Sequence, residues 1–527
     1  MSDESNSQAS PSDGHDRQPP TQDFPPVPPP PPVAGFPGQP QWATPVAPPA
    51  VTARLRRRDY VLVGLSVVLA AALVVALPAV LGYMWVGDRV VTVQRIGSAA
   101  AEDGAQAAAN DAQGTDLREA AVFLQSNDPA GNKVLAYSRA ADGKLTEVGR
   151  YDTGGTGSGS FEDSANGLVL GTTDGEAAPN HFVDKAQFLF ASNAGSSSIS
   201  VFKVNADGLE LIDHVPSGGQ KPVSITVNHG LLYVLNSGEF DNRFVTGLNA
   251  DEGLDNCIHG QLPSITGFKV SAEGKLTKIN GSTRMLSGAA NSGCVQVSFT
   301  PNGKFIVVSE RFAGRPGPEP PGGTAKGALL TFQVRENGML GAMQKFDPTG
   351  NGPFGFTFLD DDTLLSTEQN GGFLNPGKAT VATYRIGQDG SLHGVGESVP
   401  TTTTDACWIL VTNDKQLAFA SAPAEGGTIS SFKVDKDGSL TLLHRSASAP
   451  DGQDANVDAD RTLLGLTDLS LSRDSKFVYQ LNSLEGLLYV FSINSNGTLT
   501  YIETHEAFNI LPIPQGGMGA PFGIAAF

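Results

Sequence analysis

Three residues of this chain have side chains and positions that suit acid–base chemistry. Glu310 and Arg311 follow an apolar run that begins at Phe305, and Glu368 ends a second apolar run that begins at Leu364. A carboxyl group can donate or accept a proton, and a guanidinium can stabilise a carboxylate or an oxyanion. These residues are therefore candidates for a reaction that moves a proton and develops negative charge on oxygen.

The other reactive residue types point away from common catalytic chemistries. None of the eight histidines pairs with another at the spacing of metal ligands, and no Gly-x-Ser-x-Gly elbow is present. Zinc and serine-hydrolase chemistry are therefore disfavoured. Cys407 starts an apolar strand pattern and has no histidine near it in sequence, so it is interpreted as a buried, inert thiol.

An acidic stretch resembles the start of a calcium loop. Asp454, Asn456 and Asp458 place oxygen ligands at alternate positions, but Ala459 stands where such a loop needs glycine and Gly465 where it needs glutamate. A solvated acidic loop is favoured over a Ca²⁺ site, and no cofactor is predicted.

One phrase recurs along the chain and predicts the elements that position these residues. Each copy is an apolar alternation ending in an aromatic residue, a polar turn with glycine, and then leucine, which is typical of a β-hairpin. The turn glycines are Gly143, Gly208, Gly274, Gly338, Gly390, Gly438 and Gly497. Their spacing of 48–66 residues leaves room for four strands per repeat, as in a β-propeller blade.

A second repeated phrase precedes each hairpin and supplies the two inner strands of a blade. Residues 521–527 match its first strand but lack a second, whereas residues 121–127 match the second but lack a first. We therefore predict an all-β, seven-bladed β-propeller over residues 117–527, in which strands from both ends of the chain share one blade and close the ring.

The residues before the propeller have a different composition. Residues 1–58 are rich in proline and predict a disordered tail, with a partner for this tail as an open alternative. Residues 59–87 include a long uncharged apolar stretch that predicts one transmembrane helix, and residues 88–116 predict a linker. Arg54, Arg56, Arg57 and Arg58 precede the apolar stretch. The positive-inside rule then places the tail in the cytoplasm and the propeller outside the cell membrane.

The predicted location indicates the oxidation state of two cysteines, and the net charge indicates which partners the protein can bind. Cys257 and Cys294 belong to neighbouring loops in an oxidising compartment, so a disulfide is predicted, with two unpaired thiols as the alternative. The net charge is −19 and no basic stretch occurs in the propeller, so nucleic acid is not expected as a partner.

The hairpin phrase, clearest from Phe432 to Thr441, resembles the lactonase family of seven-bladed propellers, which includes 6-phosphogluconolactonases and 3-carboxymuconate cyclases. The resemblance covers residues 117–527. It is closest to a bacterial lactonase-like subgroup of unsettled function, whose phrases match residues 296–304, 352–356 and 406–408.

This resemblance implies an active site at the channel mouth where the inner strands begin. Opening or closing a lactone needs a proton donor or acceptor and a cation, so at this mouth Glu310 or Glu368 is a candidate acid/base and Arg311 a candidate clamp. The candidate substrate contacts are four amides: Gln296, Asn236, Gln369 and Asn482. Anchoring of loop backbone at strand ends is an open alternative for Asn236, Asn482 and Glu310. The chain departs from the family's enzymes at Val295 and at Pro222 to Ser224, where those enzymes carry histidines, so their catalytic residues do not transfer.

Two functions follow as expectations. One is a membrane-anchored extracytoplasmic enzyme that hydrolyses or forms a small sugar-acid or muconate-type lactone. The other is a non-catalytic propeller that binds a ligand or protein at the cell surface. Fold alone does not choose between them.

Overall fold

The computed structural model describes part of the 527-residue chain. The described residues are 83–86, 89–92, 116–159, 162, 164–176, 186–238, 263–288, 292–311, 326–372, 375–423, 428–448, 466–483, 485–508 and 521–527. They fall into two compact units, residues 1–101 and 102–527.

The described part of the first unit is one antiparallel hairpin. Strand β1 (Tyr83–Val86) pairs with β2 (Arg89–Thr92). In sequence the two strands are separated by Gly87 and Asp88, residue types that favour a tight hairpin turn. Residues 83–86, at the end of the predicted transmembrane segment, are extended in β1. The tail and the rest of that helix lie outside the described residues, and no described helix is long and apolar enough to span a bilayer.

The second unit contains seven blades of antiparallel strands. The strands of blade 1 are β3 (Ala121–Gln125), β4 (Lys133–Arg139), β5 (Leu145–Asp152) and, innermost, β33 (Ile524–Ala526). Those of blade 2 are β6 (Leu168–Thr172), β7 (Gly175–Glu176), β8 (Phe188–Asn193), β9 (Ser198–Asn205) and β10 (Gly208–Pro216). Those of blade 3 are β11 (Pro222–Asn228), β12 (Leu231–Asn236), β13 (Ser264–Val270), β14 (Leu276–Lys278) and β15 (Arg284–Met285).

The remaining four blades repeat this plan. The strands of blade 4 are β16 (Cys294–Phe299), β17 (Phe305–Glu310), β18 (Ala328–Val334) and β19 (Leu340–Phe346). Those of blade 5 are β20 (Pro353–Asp360), β21 (Thr363–Glu368), β22 (Thr380–Ile386), β23 (Leu392–Gly394) and β24 (Val399–Pro400). Those of blade 6 are β25 (Trp408–Val411), β26 (Leu417–Ala422), β27 (Thr428–Val434) and β28 (Leu440–His444). Those of blade 7 are β29 (Leu466–Leu471), β30 (Phe477–Asn482), β31 (Leu487–Ile493) and β32 (Leu499–Glu506).

Within a blade the strands pair in chain order from the channel outward, and two features depart from simple repetition. In blade 1 the innermost strand is β33, which pairs with β3. Between blades 2 and 3, the short strand β7 pairs with both β6 and β11 and joins the two blades into one sheet. The pairing of β33 with β3 confirms the predicted blade shared by the two chain ends.

Seven apolar clusters among the described residues lie between the blades of the propeller, one between each pair of neighbours. The aromatic residues of the hairpin phrase are divided among them, one to each cluster: Tyr137, Phe202, Phe268, Phe332, Tyr384, Phe432 and Phe491. An open row of seven blades would have six such interfaces. The seventh, between blades 7 and 1, shows that the ring is closed.

The turn glycines of the hairpin phrase are required by backbone conformation and by close packing. Six of the seven have positive φ, for example Gly143 at 91° and Gly438 at 83°. Residues that carry a side chain rarely adopt this backbone conformation. A Cβ on Gly143 would also meet the ring of Phe477 in blade 7. Gly208 is the exception because it is the first residue of β10 rather than a turn residue.

We expect deletion of residues 524–527 to destabilise the whole propeller rather than one blade. Ile524 and Ala526 pack between blades 7 and 1, and Ala525 and Phe527 pack between blades 1 and 2. The apparent Tm from circular dichroism should fall by more than 10 °C or unfolding should lose cooperativity. Tyr501→Ala, at a side chain that is 56% exposed, is the control and should change Tm little. A deletion variant with wild-type Tm would contradict the role assigned to closure.

Candidate active site

The innermost strands start at one end of the central channel, which we call the mouth. Hydrogen bonds between β16 and β11 show that these two neighbouring strands run in the same direction. The Val297 and Phe299 amides of β16 donate to the hydroxyls of Ser224 and Thr226 in β11, at 3.1 and 2.9 Å. The residues just before the strands are therefore brought together at the mouth, although they are far apart in the sequence.

Several of these residues adopt a left-handed backbone. The residues with positive φ that shortly precede an innermost strand are Asn166, Lys221, Gly293, Gly352, Asp405 and Gly523. Three of them are not glycine: Asn166, Lys221 and Asp405 have φ of 63°, 51° and 63°. Strain of this kind is often found at functional sites, so it draws attention to these three.

An apolar plug fills the channel next to the mouth. It consists of Ala165, Val295, Phe354, Cys407 and Trp408. The Phe354 and Trp408 rings meet edge to face with centroids 5.0 Å apart, and the Trp408 indole donates to the Ser164 carbonyl at 3.0 Å. Trp408 thus connects blade 6 to the segment that leads into blade 2.

The segment before β6 ties several blades together at the mouth. The Ser164 hydroxyl donates to the Val223 carbonyl at 3.2 Å, and the Ala165 amide donates to the Val295 carbonyl at 3.2 Å. The Ile225 amide donates to the Asn166 carbonyl at 2.8 Å. Blades 2, 3 and 4 are therefore held together by backbone groups next to the plug.

The sequence interpretation missed a buried ion pair at the mouth. Lys221 Nζ lies 3.3 Å from Glu162 Oε2, and the two side chains are 7% and 3% exposed. The Ser158 hydroxyl also donates to Glu162. Lys221 stands immediately before β11, the innermost strand of blade 3. This position in the sequence could have identified it as a residue of the mouth.

Glu310 and Arg311 lie at the end of β17, where Glu310 pairs with Cys294. Glu310 is fully buried, and neither of its carboxylate oxygens accepts a hydrogen bond of ordinary geometry from the described residues. Burial raises the pKa of Glu310, although Ser287 and Ser292 act in the opposite direction. The Arg311 guanidinium is 2% exposed and lies over the Phe354 ring, with Cζ 5.5 Å from the centroid.

Glu368 occupies the same position in blade 5 but has a fully satisfied carboxylate. Its oxygens accept hydrogen bonds from the Gly350 amide and from the hydroxyls of Thr380, Tyr384 and Ser398, at 2.6 to 2.9 Å. This arrangement anchors the connection from blade 4. We therefore interpret Glu368 as a structural carboxylate and leave the predicted acid/base role to Glu310.

Two of the four predicted substrate amides are engaged in structural contacts. The Gln296 amide exchanges two hydrogen bonds with the Phe356 backbone, at 2.8 and 2.9 Å, and so links blades 4 and 5. The Asn482 amide binds Glu485 through both its oxygen and its nitrogen, at 3.1 and 2.9 Å. Both residues behave as the anchors that strand ends require.

The other two amides differ from each other. Gln369 donates to the Cys407 sulfur at 3.3 Å, at the edge of the plug. Asn236 is 1% exposed, and neither atom of its amide has a hydrogen-bond partner among the described residues. Asn236 is therefore the predicted binding residue with the most unused hydrogen-bonding capacity.

The remaining predicted sites are only partly described. Cys294 is buried at the start of β16, and Cys407 is buried in the plug. Cys257 and the candidate calcium ligands Asp454, Asn456 and Asp458 lie outside the described residues. The disulfide therefore stays a prediction.

Asp468 is a second buried acid at the mouth. It lies in β29 where the pairing with β30 shifts register, between Leu466 and Leu469. The side chain is 5% exposed, and its Oδ2 has no hydrogen-bond partner among the described residues. Burial raises the pKa of Asp468 to about 8, although the Gly523 amide opposes this shift. A raised pKa favours the protonated form, in which the group can donate a proton.

The seven-bladed β-propeller described above is similar to the propellers of the lactonase family. The family model for the "Lactonase, 7-bladed beta-propeller" matches residues 130–252. The predicted resemblance to this family is therefore confirmed. No curated protein matches the chain in sequence.

Solved structures share this fold at low identity. A Bacteroides fragilis protein provisionally named a 6-phosphogluconolactonase has 16% identity and a TM-score of 0.52, covering 78% of this chain and 98% of its own. A periplasmic gluconolactonase from Pseudomonas aeruginosa has 14% identity and a TM-score of 0.51, covering 76% of this chain and 98% of its own. Identities this low show a common fold only, so an activity has to be argued from the residues of the site.

We expect Asp468→Asn to stabilise the protein at high pH. The folded-state pKa of about 8 exceeds the ordinary value of 3.8, so the folded state binds this proton more tightly than the unfolded state. The resulting stability is fully present below about pH 4 and is lost as pH rises to about 8. The gain in Tm from Asp468→Asn should therefore be small at pH 4 and largest above pH 8, in thermal unfolding measured across this range. The exposed Asp361→Asn is the control, and a gain independent of pH would contradict the assignment.

Proposed function

We propose that the propeller hydrolyses or forms a small lactone at the mouth. The proposal rests on the lactonase-type fold together with one observation: Glu310, Arg311 and Asp468 are buried near strand ends on the mouth side of the propeller. Neither carboxylate oxygen of Glu310 accepts a hydrogen bond of ordinary geometry from the described residues, and Oδ2 of Asp468 has no partner among them. Unsatisfied buried carboxyl groups are costly and are typical of functional sites.

These residues can supply the parts that lactone hydrolysis requires. Water adds to the ring carbonyl as Glu310 accepts its proton, and Arg311 stabilises the oxyanion that forms. The ring C–O bond then breaks, and protonated Asp468 gives its proton to the departing alkoxide. The product is a hydroxy acid, and proton exchange with solvent returns Glu310 to its ionised form and Asp468 to its protonated form. The reverse sequence closes the ring.

The charges at the mouth favour an unphosphorylated substrate. A phosphate needs several uncommitted cations, but Lys221 is paired with Glu162 at 3.3 Å. A sugar-acid or muconate-type lactone carries less charge and needs one cation. We therefore propose this class rather than a phosphosugar lactone.

A binding propeller without catalysis is the second candidate. Burial favours it, since Glu310, Arg311 and Glu368 are 0%, 2% and 0% exposed. Residues that must touch a substrate are usually reached from a pocket. In that case the polar groups of the mouth stabilise the ring, and the ligand or protein partner binds elsewhere on the propeller.

The lactonase proposal is tested by turnover of the full-length protein on sugar-acid lactones and muconolactones, followed by NMR. Glu310→Gln, Asp468→Asn and Arg311→Ala should each lower kcat/KM by about 100-fold or more. Glu336→Gln, an exposed change in the same blade as Glu310, should leave it unchanged. Equal turnover by all variants would contradict the site, and absence of turnover on every lactone would favour the binding propeller.

We also propose that the predicted transmembrane segment, residues 59–87, anchors the propeller outside the cell membrane. Its uncharged stretch, residues 60–87, exceeds the roughly 20 residues that span a bilayer, and the four arginines before it favour a cytoplasmic amino terminus. Protease added to intact cells should therefore degrade an epitope placed after Phe527 and spare one placed before Met1. The opposite pattern, or recovery of the whole chain in the soluble fraction, would contradict the proposed topology.

A further inference from the structure

A cavity of about 110 Å³ lies in the central channel, immediately beyond the plug. Its wall consists of residues that follow the plug along the innermost strands, such as Gln296 after Val295 and Ile409 after Trp408. Strands of blades 1, 2, 4, 5, 6 and 7 contribute to this wall. It is thus separated by the plug from the acids of the mouth.

At blade 3 the wall is formed by Glu176 from β7. The strand β7 is a two-residue insertion after the innermost strand of blade 2 and pairs with Asn228 of β11 through Gly175. The close approach of this insertion requires a glycine opposite it, because a Cβ on Gly171 would meet the Gly175 carbonyl oxygen. The chain therefore uses a specific local structure to bring one carboxylate to the channel.

The two oxygens of Glu176 have different surroundings. Oε1 accepts hydrogen bonds from the Thr226 hydroxyl at 2.5 Å and from the Val227 amide at 3.0 Å. Oε2 accepts none from the described residues, although the side chain is only 4% exposed. Because Oε2 has no such partner and is not fully enclosed by protein atoms, it faces the space of the cavity.

The cavity wall offers further oxygen atoms and no second charge. Asn166, Ser298, Thr357 and Ser470 are polar residues of this wall, and Glu176 is the one ionisable residue among its described residues. Oxygen donors suit hard cations. A single carboxylate balances one positive charge, whereas a divalent ion would leave a net charge in a partly apolar channel.

We propose that this cavity binds a monovalent metal cation, sodium or potassium, through Oε2 of Glu176. The ion would neutralise a carboxylate that burial otherwise disfavours, and it would link the insertion of blade 2 to the inner wall of the ring. Burial raises the pKa of Glu176 to about 7 in the absence of an ion, which agrees with a carboxylate that lacks a counter-charge. The site is independent of the proposed lactonase activity.

The cation site is tested by thermal unfolding of the full-length protein at pH 8, in KCl, NaCl or choline chloride at equal ionic strength. Binding to the folded state should raise the wild-type Tm by about 1–3 °C in one alkali salt relative to choline. Glu176→Gln should abolish this difference, and Glu210→Gln, an exposed change in the same blade, should preserve it. Equal Tm values in the three salts for the wild type would overturn the proposal, as would an unchanged difference in Glu176→Gln.

A second measurement covers the case in which Glu176→Gln does not fold. Wild-type crystals soaked in RbCl should show an anomalous difference peak within about 3 Å of Glu176 Oε2. Water alone in the cavity would give no such peak and would overturn the proposal.

Discussion

Closure of the ring by the last strand is the constraint on which the rest of this structure depends. Strand β33 pairs with β3 and contributes apolar side chains to the interfaces on both sides of blade 1. Each blade buries its two faces against its neighbours, so no interface is complete until the first and last parts of the chain meet. Because the ring is closed, seven strand starts converge on one mouth, and the position of each mouth residue depends on all seven interfaces.

Convergence has a chemical consequence. Polar side chains at strand ends form hydrogen bonds with the segments that connect the blades, and most of them do so here. Glu368, Gln296 and Asn482 have their side-chain oxygens and nitrogens engaged in local hydrogen bonds. Glu310, Asp468 and Asn236 stand at comparable positions and keep atoms without partners among the described residues. The distinction between an anchor and a candidate functional group is thus made by local partners and not by residue type or by position in the repeat.

The plug divides the centre of the propeller into two environments. On the mouth side lie the acids, Arg311 and the Lys221–Glu162 pair. On the other side lies a channel cavity with one carboxylate, Glu176. Phe354 and Trp408 separate the two through an edge-to-face contact and a hydrogen bond that spans blades. This separation places two polar sites of one ring on opposite sides of a layer of apolar side chains.

The sequence by itself determined the number of blades, the hairpins and the shared first blade, because strand alternation, turn glycines and aromatic residues are local signals that repeat along the chain. It also placed Glu310 and Arg311 at the end of a second strand, because they follow an apolar strand pattern directly. It could not separate Glu368 from Glu310, since both end a second strand and differ only in hydrogen-bond partners supplied by other segments. The Lys221–Glu162 pair, Asp468 beside Gly523, and Glu176 in the channel join residues that are distant in the chain. Only the tertiary structure decided these contacts, because burial and proximity at the channel arise when the ring closes.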